Sequence, residues 1–483
     1  LSTGMSTQKD IGDAVKLINR YKKIDYCLLH CNSTYPAPFK DINLSYIKRL
    51  QKYGKLVGYS GHERGIAVTL ASIGFGARII ERHITLDKNM EGPDHAASLI
   101  KDEFNELIIG IRQAEQAIGS SKDRKLSQGE LINRENLSKS IYLKENIKKG
   151  SILRKIHFEY KSPGQGLQPN QIKRIIGKKA ITDIKKGEPL FESHFTRSVK
   201  PSAKYNFKHE WGIPVRYHDI NSLLEISNPD FVEFHMSFKD IKEIPSKFLK
   251  DQYDCKFLVH APELFANDHL LDLCTDKKNY RNKSIKYMKD LINLTIKLNE
   301  YFPQTNKPAI ITNCGGFSRD NFVPVTKRNN LYNNLINSLK ELSNRKVEIL
   351  PQTMAPYPWH FGGQRYQNLF MDIDEIKKFC RATKIRICND LSHSYLACNT
   401  FKWDYYDYVN KLIPNTAHYH ISDGSEQSGE GLQIGDGTID FKKLCKIIKS
   451  HKDRVTFIPE IWQGHTNNGA GFWKSLKILN GKI

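Results

Sequence analysis

Short apolar segments ending in polar residues alternate with amphipathic helical segments along most of this chain, and that rhythm restricts the fold more than any other feature. Near the start, DYCLLH ends a strand, DINLSYIKRLQKYG is helical, KLVGYS is the next strand, and RGIAVTLASIGFG with ARIIERHI repeats the unit. Parallel strands need a crossover between them, so repeated βα units predict a parallel sheet covered by helices. The rhythm resumes at WGIPVRYHDI and continues through FVEFHMS, CKFLVHA, PAIITNCGG, VEILPQT, IRICND, AHYHIS and TFIPEI. Counting the first, these are eight strands in about 270 residues, the count and length of a (β/α)8 barrel.

Between the two βα regions the pattern changes. Gly119 to Glu135 is rich in Ser, Lys and Asp and reads as a linker. From Leu137 to Phe195 short strands and turns dominate, and ENIKKGSIL at 145–153 is echoed by TDIKKGEPL at 182–190, which predicts two similar β units in one small domain. A domain of about 60 residues buries only about 60% of its unfolded surface, so it is expected to lean on a neighbour. A second polar stretch runs from Thr196 to His209. The expected α/β organisation is half a barrel at 1–118, a linker at 119–134, a small β-rich domain at 135–198, a linker at 199–210 and a complete barrel at 211–483.

Composition excludes several classes. Apolar residues make up 39% of the 483, without the run of about 18 that a membrane helix needs. The excess of 74 Lys+Arg over 52 Asp+Glu gives +22, but the lysines are dispersed, with no basic stripe interleaved with aromatics, so nucleic acid is not an expected partner and a modest attraction for anionic substrates is. Nine cysteines occur singly without CxxC, which supports neither a zinc ribbon nor a disulfide framework and fits a reducing, cytoplasmic setting. The chain opens at Leu1 inside a strand-to-loop turn, and upstream residues are expected.

In parallel α/β folds the C-terminal ends of strands carry the ligands. Here those ends read STGM at 2–5, LLHCNSTYP at 28–36, GYSGHERG at 58–65 and ERHITLDKNMEGPDHAASL at 81–99. This ordered series resembles the last four strands of the sialic acid synthase family barrel. The resemblance implies condensation of phosphoenolpyruvate with an N-acetylated amino sugar, assisted by Mn2+ or Mg2+ held by His62 and His83. Chemistry independently wants a Lewis acid on the aldehyde oxygen of the sugar. By resemblance Ser60 binds phosphoenolpyruvate, Asp94 accepts sugar hydroxyls in the catalytic set, and Ser2, Ser33 and Tyr35 are further sugar contacts. Read alone, the two histidines have the lesser alternative of strand-end groups bonded to backbone, and Asp94 follows a Gly-Pro turn. Gly61 stands where other members have Asp, a variation the family tolerates. The family's first four strands, with a glutamate and phosphate-holding lysines, would precede Leu1, so the chain alone is expected not to catalyse condensation.

The middle segment resembles the family's small SAF, or antifreeze-like, domain through KSIYLKENIKKGSIL, PGQGLQP at 163–169 and IIGKKAITDIKKGEPL at 175–190. That resemblance implies a domain-swapped homodimer in which the domain covers the partner's active site. Ser138 occupies the place of a sugar-contacting arginine, which puts that one contact in question.

The C-terminal region resembles the xylose-isomerase-like barrels, through VHAPE at 259–263, NDLSH at 389–393, HYHISD at 418–423, GEGLQIGDGTIDF at 429–441 and IPEIWQGH at 458–465. Asp390, His420 and Glu460 match that family's ligands for one divalent ion, here Mn2+ or Zn2+, with His393 a further ligand or an orienting group. Hard oxygens and imidazole suit such an ion. Gln352 takes the place of a usual glutamate, a weaker donor, and His260 is a substrate or metal contact. The barrel could therefore carry sugar isomerase or epimerase activity, or the chain could serve assembly without catalysis.

Overall fold

The computed structural model describes residues 1–21, 24–124, 126–196, 204–360, 362–427 and 429–483, and it forms two compact units, Leu1–Lys125 and Leu126–Ile483.

In the first unit the apolar runs become parallel strands Leu28–Cys31, Val57–Gly61 and Ile79–Arg82, in the order of the sequence. Ser2 bridges Leu29 and extends the pairing by one position. Helices Gln8–Asn19, Ala67–Gly74 and Lys101–Ile118 accompany them. Buried Leu28, Ile47, Leu50 and Tyr59 form the core. Gly58 is required by close approach, since a Cβ there would lie 2.3 Å from the Ile79 carbonyl oxygen. Below the strand ends, Arg82 and Glu63 form an ion pair at 3.0 Å with both side chains fully buried.

The second unit begins with helix Gln128–Leu137, started by a capping box in which Ser127 and Glu130 satisfy each other's backbone N–H. The stretch expected to be a linker at 119–134 therefore contains a helix start. A hairpin of Ser140–Leu143 and Phe158–Lys161 follows. The echoed sequences meet as antiparallel partners: Ile147 and Ile184, equivalent residues of the two copies, exchange N–H···O bonds of 2.8 Å each way. Gly150 and Gly187, also equivalent, both turn with positive φ. This small domain touches the barrel through Ser193, whose hydroxyl donates to Asn467 Oδ1. Residues 197–203, most of the second expected linker, lie outside the described residues. Tyr205, later in that linker, is already buried in the barrel's core.

All eight expected strands form: Glu210–Val215, Phe231–His235, Lys256–His260, Ala309–Thr312, Glu348–Pro351, Ile387–Asp390, Thr416–Ile421 and Thr456–Pro459. Each pairs with its sequence neighbour in parallel, the eighth pairs with the first, and a bridge between Gln352 and Cys388 joins the fifth to the sixth. A small apolar layer of Leu258, Ala309, Leu350 and Ala417 fills part of the core. Most of the apolar core lies in one large cluster, contributed by strands and helices together.

Candidate functional site

In the first unit, His62 directly follows the second strand and His83 the third, which brings their rings to 5.1 Å centroid to centroid. Tyr35 lies 4.2 Å from His62 and 5.6 Å from His83. His62 Nδ1–H donates to the Asn32 carbonyl at 2.8 Å, which leaves the Nε2 lone pair free to bind. His83 Nδ1 stands 3.9 Å from Asp94 Oδ2. Ser60 donates to Glu81 Oε1 at 2.7 Å, and Ser33 Oγ approaches Cys31 Sγ at 3.6 Å. Ser2 is exposed on the bridge to Leu29. Thus His62, His83, Tyr35 and Asp94 come together, while Ser60 is engaged with a carboxylate. Among the described residues, no trio of His, Cys or acidic donors with atoms all within 4.8 Å includes these two histidines.

The barrel holds the denser site. His420 and His418, two residues apart on one strand, face Glu233 and His235, two apart on another, because alternate residues share a face. Glu233 is fully buried. Its Oε1 accepts from His420 Nε2 at 3.1 Å and from His235 Nε2 at 3.0 Å, and its Oε2 lies 2.9 Å from His418 Nε2. Burial alone would raise this carboxyl, yet the His420 charge and the imidazole donors hold it well below the ordinary range. With Nε2 committed, His420 turns Nδ1 toward Glu460 Oε2 at 2.7 Å and Asp390 Oδ2 at 3.9 Å. Gln352 Nε2 sits 3.1 Å from both Asp390 Oδ2 and His420 Nδ1, with its Oε1 3.2 Å from His260 Nε2. His260, His420 and Glu460 present donor atoms all within 4.8 Å of one another.

Burial lifts the Asp390 carboxyl to about 6. Burial would lower His393, but Asp390 and Glu430 outweigh it and raise the imidazole to about 10. The His393 Nδ1–H donates to the Thr353 carbonyl at 2.9 Å, and Nε2 lies 3.2 Å from Glu430. Both of its ring nitrogens therefore face acceptors. Glu233, His235 and His418 were not expected from the sequence. The available signal was E-x-H and H-x-H at period two inside otherwise apolar strands.

Of these side chains His260, Gln352, Asp390 and Glu460 line a cavity of about 510 Å³ at the barrel mouth, whose wall includes Trp359, Trp462 and Phe472, while Glu233, His418 and His420 lie buried behind it. Gln128, Ile132 and Glu135 of the helix preceding the small domain complete it. Gly129 presses on Trp359 so closely that a Cβ would lie 2.5 Å from the indole ring. Glu263 also lines the cavity. Burial would raise it, but His360, 3.1 Å away, and Asn313 bring it down to about 2.

Three family models match the chain. Residues 1–123 match the NeuB family, 138–196 the SAF domain and 225–480 the xylose isomerase-like TIM barrel. The N,N'-diacetyllegionaminic acid synthase of Campylobacter jejuni is 40% identical over 195 residues, covering 40% of this chain and 58% of that protein. The N-acetylneuraminate-9-phosphate synthase of Homo sapiens is 37% identical over 191 residues, 39% of this chain and 52% of that protein. The chain thus spans just over half the length of the curated relatives it matches. A solved D-tagatose 3-epimerase-like protein is 20% identical with a TM-score of 0.41, covering 56% of this chain and 95% of its own. A NeuB-family segment and a SAF domain lead into the match that spans more than half of the sequence, and by that match the chain belongs to the xylose isomerase-like TIM barrel family.

Proposed function

We propose that residues 1–196 serve a nonulosonic acid synthase, which condenses phosphoenolpyruvate with an N-acetylated amino sugar in its open-chain aldehyde form. The observation that carries this reading is the meeting of His62, His83, Tyr35 and Asp94 at adjacent strand ends, in a segment about 40% identical to a legionaminic acid synthase. Carbon 3 of phosphoenolpyruvate bonds to the aldehyde carbon, whose oxygen takes a proton and becomes a hydroxyl. Water adds at carbon 2, and phosphate leaves. His62 offers Nε2 and His83 sits beside it, so the pair fits a Mn2+ or Mg2+ ion, which when bound would polarise the aldehyde oxygen. Asp94 would accept sugar hydroxyls, and Ser60 would meet phosphoenolpyruvate after leaving Glu81. Ser2, Ser33 and Tyr35 would border the sugar. In protein carrying all the strands of this barrel, His62→Ala and His83→Ala should each lower phosphate release from phosphoenolpyruvate, N-acetylmannosamine and Mn2+ by at least about 100-fold. Full activity in both variants overturns the reading.

A second reading concerns the barrel: Asp390, His420 and Glu460, with Gln352, hold one divalent ion for sugar isomerisation or epimerisation. What favours it is the donor chemistry. Glu233 fixes the Nε2–H of His420 and so aims Nδ1 at two carboxylates, an arrangement typical of metal-binding histidines. The two ends of the Gln352 amide have the same shape, and their exchange would give Asp390 and His420 a carbonyl oxygen while an N–H donated to His260. His260 fits that exchange, because its Nδ1–H already donates to the Ala261 carbonyl.

A further inference from the structure

The whole chain carries +22, yet the barrel cavity is lined by six carboxylates, Glu135, Asp219, Glu263, Asp390, Glu430 and Glu460. Among the described lining residues Arg216 is the sole guanidinium, and no lysine joins it. The six carboxylates outnumber that guanidinium by five, and a divalent ion would offset only two of them. A concave wall of one sign focuses its field on whatever enters, and half-buried charges are screened less than exposed ones.

Two features show that this charge is built in. Glu263 is held ionised by His360 and Asn313 at the cavity wall. Glu135 lies in the last turn of helix Gln128–Leu137, where the negative end of the helix dipole makes an acidic side chain unfavourable. Helix stability gives no reason for a glutamate there. Gly129 seats this helix on Trp359, and Glu135 of the same helix lines the cavity. Trp359 and Trp462 add faces on which a sugar ring can lie, and an amine above an indole gains further attraction.

We propose that this cavity takes an uncharged or amine-bearing sugar and rejects carboxylated or phosphorylated ones, with Glu135, supplied from outside the barrel, as one specificity-determining charge. The proposal rests on the barrel's reading as a sugar-binding site. Carboxylate products of a condensation with phosphoenolpyruvate would be repelled, so the reaction served by the barrel belongs on the side that supplies the amino sugar.

Three hexoses of similar size and different charge provide the test: D-glucosamine, N-acetyl-D-glucosamine and D-glucuronate. Each is titrated into the full chain, with Mn2+ and again with EDTA, while tryptophan fluorescence is followed. Expected is the order glucosamine, N-acetylglucosamine, glucuronate, with at least about tenfold between the first and last. Glu135→Gln should narrow the gap between the first two by about threefold, with an unchanged melting temperature. Glucuronate binding as tightly as glucosamine, or no saturable signal from any of the three, overturns the proposal. Mn2+ uptake is measured separately by elemental analysis. Failure of uptake with the charge order intact removes the metal reading and leaves this inference standing.

Discussion

His420 donates its Nε2–H to Glu233 Oε1 across the barrel at 3.1 Å, and this single bond decides which face of the imidazole is left for a ligand. Glu233 does not line the cavity and reaches the proposed ion site only through His420, which would make it a positioning residue. Glu233→Gln should weaken Mn2+ binding by about 10- to 100-fold, because the amide cannot accept from three imidazoles and adds a competing donor. Calorimetric titration of the full chain measures it, alongside the melting temperature. Glu233→Asp, which keeps the charge, should recover part of the affinity. Weakened binding only in proportion to lost stability would make Glu233 merely structural.

The barrel strands were legible because each is an apolar run closed by polar residues, and Asp390, His420 and Glu460 sit at those closures. Glu233 was not, since a lone acid in FVEFHMS gains meaning only when His420, almost 190 residues later, arrives beside it. Gln352 was legible as a departure, but not its bridging place between His260 and Asp390. The helix at Gln128–Leu137 was masked by polar composition, although Ser127 and Glu130 carry a capping signature. Its seat on Trp359 depends on a tertiary contact with no local trace. In the small domain the repeat was visible, and the structure adds that its two copies pair with each other at Ile147 and Ile184.

Arg82 anchors the strand ends that carry His62 and His83. Its guanidinium donates to Glu63 Oε1, Thr69 Oγ1 and the carbonyls of Glu63 and Gly65, while Tyr59 and Thr69 also donate to Glu63. Arg82→Met keeps much of the volume but leaves a buried carboxylate without its cation, which costs about 3–5 kcal/mol. All five tryptophans, at 211, 359, 403, 462 and 473, lie in the second unit. The variant should therefore show a circular-dichroism loss at lower urea, with the tryptophan transition unmoved. A shift of both transitions together would mean that the two units unfold as one.

Asp272 offers a test of the second unit's stability against pH. Burial raises its carboxyl from 3.8 to about 6, even though Oδ1 accepts N–H bonds from Cys274, Thr275 and Gly316 that favour the charged form. Between those values the folded chain keeps a proton that the unfolded chain has released. Its contribution to stability is therefore complete below pH 3.8 and is lost as the pH rises through about 6. The loss amounts to about 3 kcal/mol, because each tenfold difference in proton affinity between the folded and unfolded chain is worth roughly 1.4 kcal/mol. Asp272→Asn carries no titrating proton, and its amide oxygen can accept the same N–H bonds. Groups of opposite sign, such as Glu233 and Glu263, act alike in both proteins and cancel in the difference. Urea unfolding followed by tryptophan fluorescence should show the variant gaining on the native chain from pH 4 to pH 6.5, then running parallel to it. A constant difference across that range would mean that Asp272 is ionised in the folded chain throughout and that its three N–H donors outweigh burial.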